Sequence, residues 1–302
     1  MNNPGNQLHA AVVGYASLDY ASLTGPYQGA GATTEVRERL SDPWPSPGGM
    51  SHFVCELRRQ EISCAAVTWL ATDELGDRFL GELSRVGADT TGADRSGTRS
   101  PSCHLYYAAE NEPVLFFDTG DCPRSLSPEQ CIAIAMADWL CLSVAPTAAL
   151  RQSIQAMGAD AALLWTVKSD PAALSADLVA QLAARAAIIT YSQAERAFLA
   201  DDCGFQPSSL ATDQRLVVET RGSHGVQFWF GDRTATLTTE PMMVRDSTGA
   251  GDTFAAALLA GVMQLGGRTV SNLNFEQVDS LIASAASTAT TFLRKRNDRS
   301  AT

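Results

Sequence analysis

The sequence has 302 residues, of which 45% are hydrophobic and 18% are charged, with 23 glycines and 13 prolines. This composition is typical of a globular protein and excludes collagen-like and disordered chains. The formal net charge is −11, and so acidic a chain lacks the positive surface that binds nucleic acid or anionic membranes. We therefore expect no nucleic-acid partner and no membrane partner.

Cysteine usage and the N-terminal segment indicate the cellular compartment. The seven cysteines are an odd number and form no C-x-x-C pair, which favours buried, reduced thiols. Residues 1–9 are polar and lack the basic and apolar regions of a signal peptide. The longest apolar run, 254–263, is far shorter than the about 20 residues of a membrane-spanning helix. These features predict a cytoplasmic protein.

The N-terminal third of the chain combines buried strands and helices with a β-rich part. Short apolar runs predict strands, and apolar residues that share one helical face predict helices. The proline- and glycine-rich segment 41–49 is predicted as a loop, and two β-rich runs around 109–112 are predicted as a hairpin. The elements expected in chain order are a strand at 10–14, irregular or strand structure at 23–40, a helix at 50–60, a strand at 65–70, a helix at 75–86, and strands at 103–108 and 114–118.

From residue 128 onward, predicted helices and strands alternate. Such alternation is typical of βαβ units and of a parallel sheet. The expected elements are helices at 129–137, 147–157 and 176–184, strands at 139–144, 161–167 and 187–190, strands at 216–220, 227–230 and 234–237, and helices at 254–265 and 275–293. The predicted fold is an α/β sandwich with a mostly parallel central sheet. We expect a single domain over 1–302, with a small β lid built from about 20–42 and 100–120.

Several common catalytic motifs are missing from the sequence. There is no G-x-x-x-x-G-K-[ST], which excludes a P-loop NTPase, and no G-x-G-x-x-G after a strand, which weighs against a dinucleotide-binding oxidoreductase. The sequence also lacks H-E-x-x-H and G-x-S-x-G. Its four histidines are scattered without the spacing of a zinc site.

The most informative segment is 245–261, R-D-S-T-G-A-G-D-T-F-A-A-A-L-L-A-G. Gly249, Ala250 and Gly251 precede a strongly helical run, where amide groups lack intrahelical partners and small residues let a phosphate approach. Asp252 lies in the same first turn, where the positive end of the helix stabilises its anionic form as a proton acceptor. A phosphate site and a base in one turn predict phosphoryl transfer to an alcohol. The alternative interpretation is structural, with Asp252 as a cap and the glycines as a tight turn.

The longer string D-S-T-G-A-G-D resembles the C-terminal signature D-T-x-G-A-G-D of the PfkB/ribokinase family of carbohydrate and nucleoside kinases, with Ser247 in place of threonine. Four more segments resemble family motifs in the family's order. They are V-G-Y-A-S-L-D at 13–19, P-G-G-M at 47–50, L-G-D-R-F-L-G at 75–81 and T-R-G-S-H-G at 220–225. The resemblance extends from about residue 11 to residue 293.

The resemblance implies a ribokinase-like three-layer α/β/α sandwich and an ATP-dependent kinase acting on a hydroxyl group, in particular a hydroxymethyl group, of a sugar. It implies Mg²⁺, held through water by Glu195, and it leaves room for a monovalent cation such as K⁺. Asp252 would be the general base, with the amides of Gly249, Ala250 and Gly251 as an anion hole. The residues implied for substrate are Asp19, Gly48, Gly49, His52 and Phe53. Those implied for the nucleotide are Thr220, Gly222, Gly225, Asp246, Thr248, Gly249, Gly251, Ala283 and Ser287.

The sequence departs from the family pattern at three places. Phe53 stands where the family has a substrate-binding asparagine, whose polar contact His52 could replace. The family's N-x-x-E becomes Ser192 to Glu195, and W-T-V-K-S-D at 165–170 does not match D-x-N-x-R. Lys168 in that segment either supplies positive charge near the phosphates or is a solvated lysine.

These departures leave alternative functions open. A nucleoside kinase could stack a base on Phe53 and on aromatic residues of the lid. A non-catalytic nucleotide- or metabolite-binding member of the fold is a further alternative. The lid aromatics could instead pair two subunits into a homodimer.

Overall fold

The structure is a computed structural model that describes residues 8–108, 113–170, 173–240 and 242–298. The turn predicted at 109–112 lies outside the described residues. The strands are β1 (His9–Val13), β2 (Ala16–Thr24), β3 (Val36–Arg39), β4 (Ser46–Gly49), β5 (Ser63–Ala71), β6 (Ala93–Gly97), β7 (Ser102–Ala108), β8 (Val114–Asp118), β9 (Trp139–Leu142), β10 (Ala162–Thr166), β11 (Ala186–Ser192), β12 (Leu216–Thr220), β13 (Val226–Phe230) and β14 (Arg233–Leu237). The α-helices are α1 (Ser51–Arg59), α2 (Glu74–Arg85), α3 (Pro128–Ala135), α4 (Thr147–Ala156), α5 (Ala176–Arg185), α6 (Gln193–Ala197), α7 (Ala250–Gln264) and α8 (Phe275–Asp298).

The central sheet of the described chain has the strand order β14-β13-β12-β11-β10-β9-β1-β5-β6. The strands from β12 to β6 run parallel, and β13 and β14 continue the sheet antiparallel at one edge. Most of the inner strands are runs of apolar residues buried on both faces, as expected for parallel strands covered by helices. The predicted mostly parallel sheet is confirmed.

Helices cover both faces of this sheet. Alternate residues of β1 point to opposite sides, so Ala10 and Val12 belong to one core cluster and Ala11 and Val13 to the other. Residues of α1, α2, α7 and α8 complete the first cluster, and residues of α3, α4 and α5 complete the second. Two cores on either side of one sheet form the predicted three-layer α/β/α sandwich.

A second, smaller sheet is built on β2, with the order β3-β2-β7-β8 and with β4 also paired to β2. The loop predicted over 41–49 is wrong for its last four residues, because Ser46–Gly49 pairs antiparallel with β2. Pro47 is accommodated because β4 pairs with β2 alone, so the missing N–H of proline breaks no second ladder. Regular structure also begins at Ala16, well before the predicted region 23–40.

Two elements have no counterpart in the sequence prediction. Strand β6 has the polar sequence A-D-R-S-G, which carries no alternating apolar pattern and forms only because it pairs with the end of β5. Helix α6 is a single short turn after β11. Across the described residues, no helix combines the length and apolar character needed to span a membrane, and the seven cysteines are free thiols.

Candidate active site

The candidate site lies at the N-terminus of α7, a helix whose residues are buried along most of its length. Gly249 precedes the helix with φ of +82°, in the left-handed region that favours glycine. The amide of Ala250 donates a 3.2 Å hydrogen bond to the Ser247 carbonyl oxygen. Helix geometry leaves the next two amides, of Gly251 and Asp252, without an intrahelical acceptor. Of the predicted anion-binding amides, that of Gly251 therefore remains available and that of Ala250 is engaged, while the available Asp252 amide was not part of the prediction.

Asp252 is paired with a cation that follows β10. Its Oδ1 lies 3.8 Å from Lys168 Nζ, and its side chain is 13% exposed. Burial raises the pKa of Asp252, while Lys168 acts in the opposite direction and the Glu195 carboxylate adds to the rise. Since Asp252 is the main cause that raises the pKa of Lys168, the lysine stays protonated. A carboxylate with a raised pKa is a better proton acceptor than an exposed one.

A cavity of about 390 Å³ opens beside this helix end. The predicted nucleotide residues Thr220, Gly222, Gly225 and Gly251 all line it. Much of the remaining wall is apolar and comes from Val226, Met242, Val244, Phe254, Ala286, Ala289 and Leu293. A mostly apolar pocket with a few polar groups at one end is the common form of a small-molecule site.

A smaller cavity of about 30 Å³ adjoins the first and shares Thr220 and Gly251 with it. Lys168, Ser192 and Glu195 also line this space. The Ser192 amide donates to Glu195 Oε2 at 2.6 Å in a capping box that fixes the glutamate at the start of α6. A polar space of this size accommodates water.

The carboxylate of Glu195 fits a water-mediated Mg²⁺ contact. Mg²⁺ usually keeps several waters and binds few protein carboxylates when substrate phosphates are present. The described residues contain no group of three or more metal-ligating side chains, so the phosphates would have to supply direct ligands. With the phosphates as direct ligands, the Glu195 carboxylate beside a water-sized space fits the protein's share of the Mg²⁺ site.

The opposite end of the site is built around Asp19 on β2, which is 3% exposed. The Ser17 hydroxyl donates to its Oδ1, and burial raises the pKa of Asp19 to about 6. A Cβ atom on Gly48, in the neighbouring strand β4, would lie 1.9 Å from Asp19 Oδ2. Gly49 has φ of +54°, and a Cβ there would lie 2.3 Å from the Tyr15 carbonyl oxygen. Both glycines are therefore required by close packing against neighbouring residues, and their implied contact with substrate stays a prediction.

Asp246 is a buried structural hub, only 1% exposed. Its Oδ1 accepts hydrogen bonds from the Thr248 amide at 2.9 Å and from the Tyr107 hydroxyl at 3.0 Å. Its Oδ2 accepts a 2.6 Å bond from Arg296 Nε on α8. Asp246 and Thr248, both predicted to bind nucleotide, are not among the described residues that line either cavity. Their side chains instead join the small sheet, α8 and the loop before α7.

Residues 9–300 match the sequence model of a protein family described as pfkB family carbohydrate kinase. The chain belongs to the pfkB family. This confirms the resemblance drawn from 246–252 and from the motifs before it. Comparison with curated protein sequences gives no match.

Solved structures similar to this chain include nucleoside kinases and a ribokinase. The nucleoside kinase of Methanocaldococcus jannaschii is 13% identical, with a TM-score of 0.72 over 96% of this chain and 93% of that one. The nucleoside kinase of Burkholderia thailandensis, in complex with inosine, is 14% identical, with a TM-score of 0.73 over 92% and 89%. The ribokinase of Thermotoga maritima is 17% identical, with a TM-score of 0.72 over 96% and 95%. At these identities the likeness shows the fold.

Phe53, which departs from the pfkB pattern, and the neighbouring His52 have different surroundings. The His52 ring lies against Gly249, where a Cβ would be 2.4 Å from its Cδ2, and packs edge-on against Phe292 at 5.6 Å. Burial lowers the pKa of His52 to about 3, and its buried Nε2 has no hydrogen-bond partner among the described residues. Phe53 is 2% exposed inside the core. The placement favours packing for Phe53 and leaves His52 as the polar group near the helix start.

Two predicted nucleotide residues on α8 lie on the wrong face of that helix. Ala283 and Ser287 are exposed, whereas the cavity is lined by Ala286, Ala289, Thr290 and Leu293. Those four share one helical face by their spacing of three and four residues. The sequence A-S-A-A-S-T-A-T over 283–290 places small residues on every face, so small size alone could not identify the face that borders the cavity.

We expect Gly48→Ala to displace Asp19, because the added methyl group would occupy the space of its carboxylate. Misplacement of a positioning group by about 1 Å can cost about 10²-fold in rate, so kcat/KM for the acceptor should fall by that order. Binding of an ATP analogue, measured by calorimetry, should be unchanged. Gly81→Ala is the matched control, since a Cβ there meets no atom within 4 Å. Equal acceptor kinetics in both variants would contradict the close-packing argument.

We expect Tyr107→Phe to destabilise the fold, because it removes a buried donor to the Asp246 carboxylate. Burial raises the pKa of Tyr107, so its hydroxyl stays protonated and donates at neutral pH. A hydrogen bond to a charged group contributes about 1.5–3 kcal/mol, and urea unfolding should show a loss of that order. Tyr27→Phe, at a side chain that is 58% exposed, serves as the control. If the two variants unfold at the same urea concentration, Tyr107 does not support the hub.

Proposed function

We propose that the protein is an ATP-dependent kinase that transfers the γ-phosphoryl group of ATP to a hydroxyl, in particular a hydroxymethyl, of a sugar or sugar-like substrate. The pfkB family match and the ribokinase and nucleoside-kinase neighbours support a phosphotransferase of this class. The observation that carries the proposal is Asp252 in the first turn of α7. This carboxylate lies 3.8 Å from Lys168 and directly follows Gly251, which lines a cavity of about 390 Å³.

In the proposed reaction, the acceptor oxygen attacks the γ-phosphorus while its proton passes to Asp252. The bond between the γ-phosphorus and the oxygen that bridges to the β-phosphate breaks, and ADP leaves with that oxygen. The amides of Gly251 and Asp252 stabilise the negative charge on the transferring group. Asp19 orients the acceptor through hydrogen bonds to its hydroxyl groups, and the neutral His52 offers Nε2 as a further polar contact.

The nucleotide would occupy the larger cavity, with the base against the apolar wall and the phosphates toward Gly251. Mg²⁺, when bound, neutralises charge on the phosphates, and Glu195 would hold it through water. A role for a monovalent cation such as K⁺ stays a prediction, which a comparison of activity in K⁺ and Na⁺ salts would test.

The smaller sheet is proposed to act as a lid over a single kinase domain of residues 1–302. Asp19 lies on the same face of that sheet as Leu105 and Tyr107, because strand residues two apart share a face and Asp19 pairs with Cys103. Closure of such a sheet would exclude water and suppress hydrolysis of ATP. The sheet seen in the structure also includes Ser46–Gly49, which lies outside the boundaries 20–42 and 100–120.

We expect ADP release when the purified protein is incubated with Mg-ATP and an acceptor from a panel of sugars and nucleosides. The panel includes nucleosides because two of the similar structures are nucleoside kinases. Asp252→Asn should lower turnover by about 10²–10⁴-fold, the usual loss for a general base, and should still bind an ATP analogue.

The panel also separates the alternatives. Turnover restricted to nucleosides would identify the nucleoside kinase. Nucleotide binding without ADP release from any acceptor would favour the non-catalytic alternative. An Asp252→Asn variant that turns over within a few-fold of the wild type would contradict the assignment of the base.

The lid is also proposed to join two subunits into a homodimer. On β8, Leu115 is 56% exposed and Phe116 is 60% exposed, and adjacent exposed apolar residues on an edge strand invite association. We expect a dimer in sedimentation experiments at micromolar concentration, and a monomer for Phe116→Asp. Met136→Asp, at an apolar side chain outside the small sheet that is 75% exposed, should leave the dimer intact. A wild-type monomer would contradict this proposal.

A further inference from the structure

The position of Lys168 separates the two interpretations that the sequence leaves open. Lys168 follows β10 at the carboxyl end of an inner parallel strand, the edge at which open α/β sheets bind ligands. Its side chain is 35% exposed and points to Asp252, which is not the setting of a freely solvated lysine. We propose that Lys168 is a catalytic residue whose ammonium contacts the γ-phosphoryl group of ATP. This inference rests on the proposed kinase function.

The distance between Lys168 and Asp252 leaves room for a second partner. A direct hydrogen bond between ammonium and carboxylate spans about 2.7–2.9 Å, whereas Lys168 Nζ lies 3.8 Å from Asp252 Oδ1. An ammonium carries three N–H donors, and the long contact with Asp252 does not occupy all of them. Lys168 is therefore close enough to Asp252 to stay oriented by it. Its ammonium can still donate a hydrogen bond to an oxygen of a phosphoryl group bound beside it.

The backbone of α7 faces the lysine across open space. A Cβ built on Gly251 would lie 3.9 Å from Lys168 Nζ, and among the described residues no atom outside its chain neighbours and the backbone of α7 is closer. Gly251 lines both cavities, and its amide is one of the two that lack an intrahelical acceptor. A phosphoryl group bound by that amide would therefore lie next to the ammonium.

The negative charges around the smaller cavity favour a positively charged side chain at position 168. Among the described residues that line the smaller cavity, Lys168 carries positive charge and Glu195 carries negative charge. Asp252 adds a second carboxylate, and the triphosphate of ATP is itself anionic. In the transfer step Lys168 keeps its three protons and stabilises charge on the phosphoryl oxygens, while the acceptor proton passes to Asp252. No further reactant is required.

The choice of lysine at this position is unusual for the chain. The sequence has 20 arginines but only two lysines, Lys168 and Lys295. An ammonium is a compact point charge, whereas a guanidinium is a wide planar fork. A guanidinium here would take up more of the space of about 30 Å³ that Lys168 lines, which provides a physical reason for lysine.

The scarcity of lysine makes a direct test possible. Labelling the full-length protein with ¹³C-lysine gives two side-chain ε-methylene resonances, and Lys295→Met assigns both without altering the site. We expect the Lys168 resonance to move when the Mg²⁺ complex of adenylyl imidodiphosphate is added, and to move less with Mg-ADP, which lacks the γ-phosphoryl group. The Lys295 resonance should stay in place.

Kinetics with the acceptor found by ADP release provide the second readout. Lys168→Met removes the charge and keeps an unbranched chain, and we expect kcat to fall about 10²–10³-fold, as for loss of one donor to a developing negative charge. The KM for ATP should change much less. Lys295→Met, at an exposed position on the last turn of α8, should leave both constants within a few-fold of wild type.

Three results would overturn the inference. The first is nucleotide binding, measured by calorimetry, with a Lys168 resonance that stays in place or responds equally to ADP and to the analogue. The second is a folded Lys168→Met variant whose kcat is within a few-fold of wild type. Both leave the kinase function standing. The third is the absence of any nucleotide binding, which overturns the inference and the proposed function together.

Discussion

The buried ion pair between Asp246 and Arg296 fixes the relation between the parts of this molecule. A carboxylate that is 1% exposed is costly to bury unless it is paired and hydrogen-bonded, and Asp246 meets this condition with donors from three segments. Arg296 comes from the end of α8, Tyr107 from the small sheet and Thr248 from the loop before α7. Each segment supplies a hydrogen bond that the buried carboxylate needs. The position of the start of α7 is therefore fixed relative to α8 and to the small sheet.

This constraint determines where the charges of the site lie. Asp19, Asp252 and Glu195 gather near the start of α7, although the protein is already acidic overall. Arg296 is engaged by Asp246, so among the residues that the structure describes the cation that remains at the helix start is Lys168, loosely paired to Asp252. An anionic ligand at this point would need the amide dipoles of the helix, the lysine and its own metal ion. The arrangement would let an acidic chain hold a polyphosphate locally.

The sequence predicted most of the fold because its signals are local. The apolar runs of the inner strands and the 246–252 signature each identify an element without reference to distant residues. It did not predict β4 or β6, whose existence depends on pairing with β2 and β5 rather than on their own residues. It also placed Ala283 and Ser287 at the cavity, because small residues on every side of α8 conceal which face packs inward. The role of Asp246 as a hub was not predictable, since Tyr107, Asp246 and Arg296 are far apart in the chain.

Close contacts at glycine connect the two ends of the site. Asp19 fills the space beside Gly48 that a side chain would occupy, and Gly49 fits against the backbone of Tyr15. Helix α1 begins directly after these glycines, and its second residue, His52, packs its ring onto Gly249. Packed interiors transmit small displacements rather than absorbing them. The separation between the carboxylate that would orient the acceptor and the helix end that would hold the phosphate is therefore set by one continuous series of contacts. In that series, Gly48 cannot gain a methyl group without moving Asp19, and Gly249 cannot gain one without moving His52.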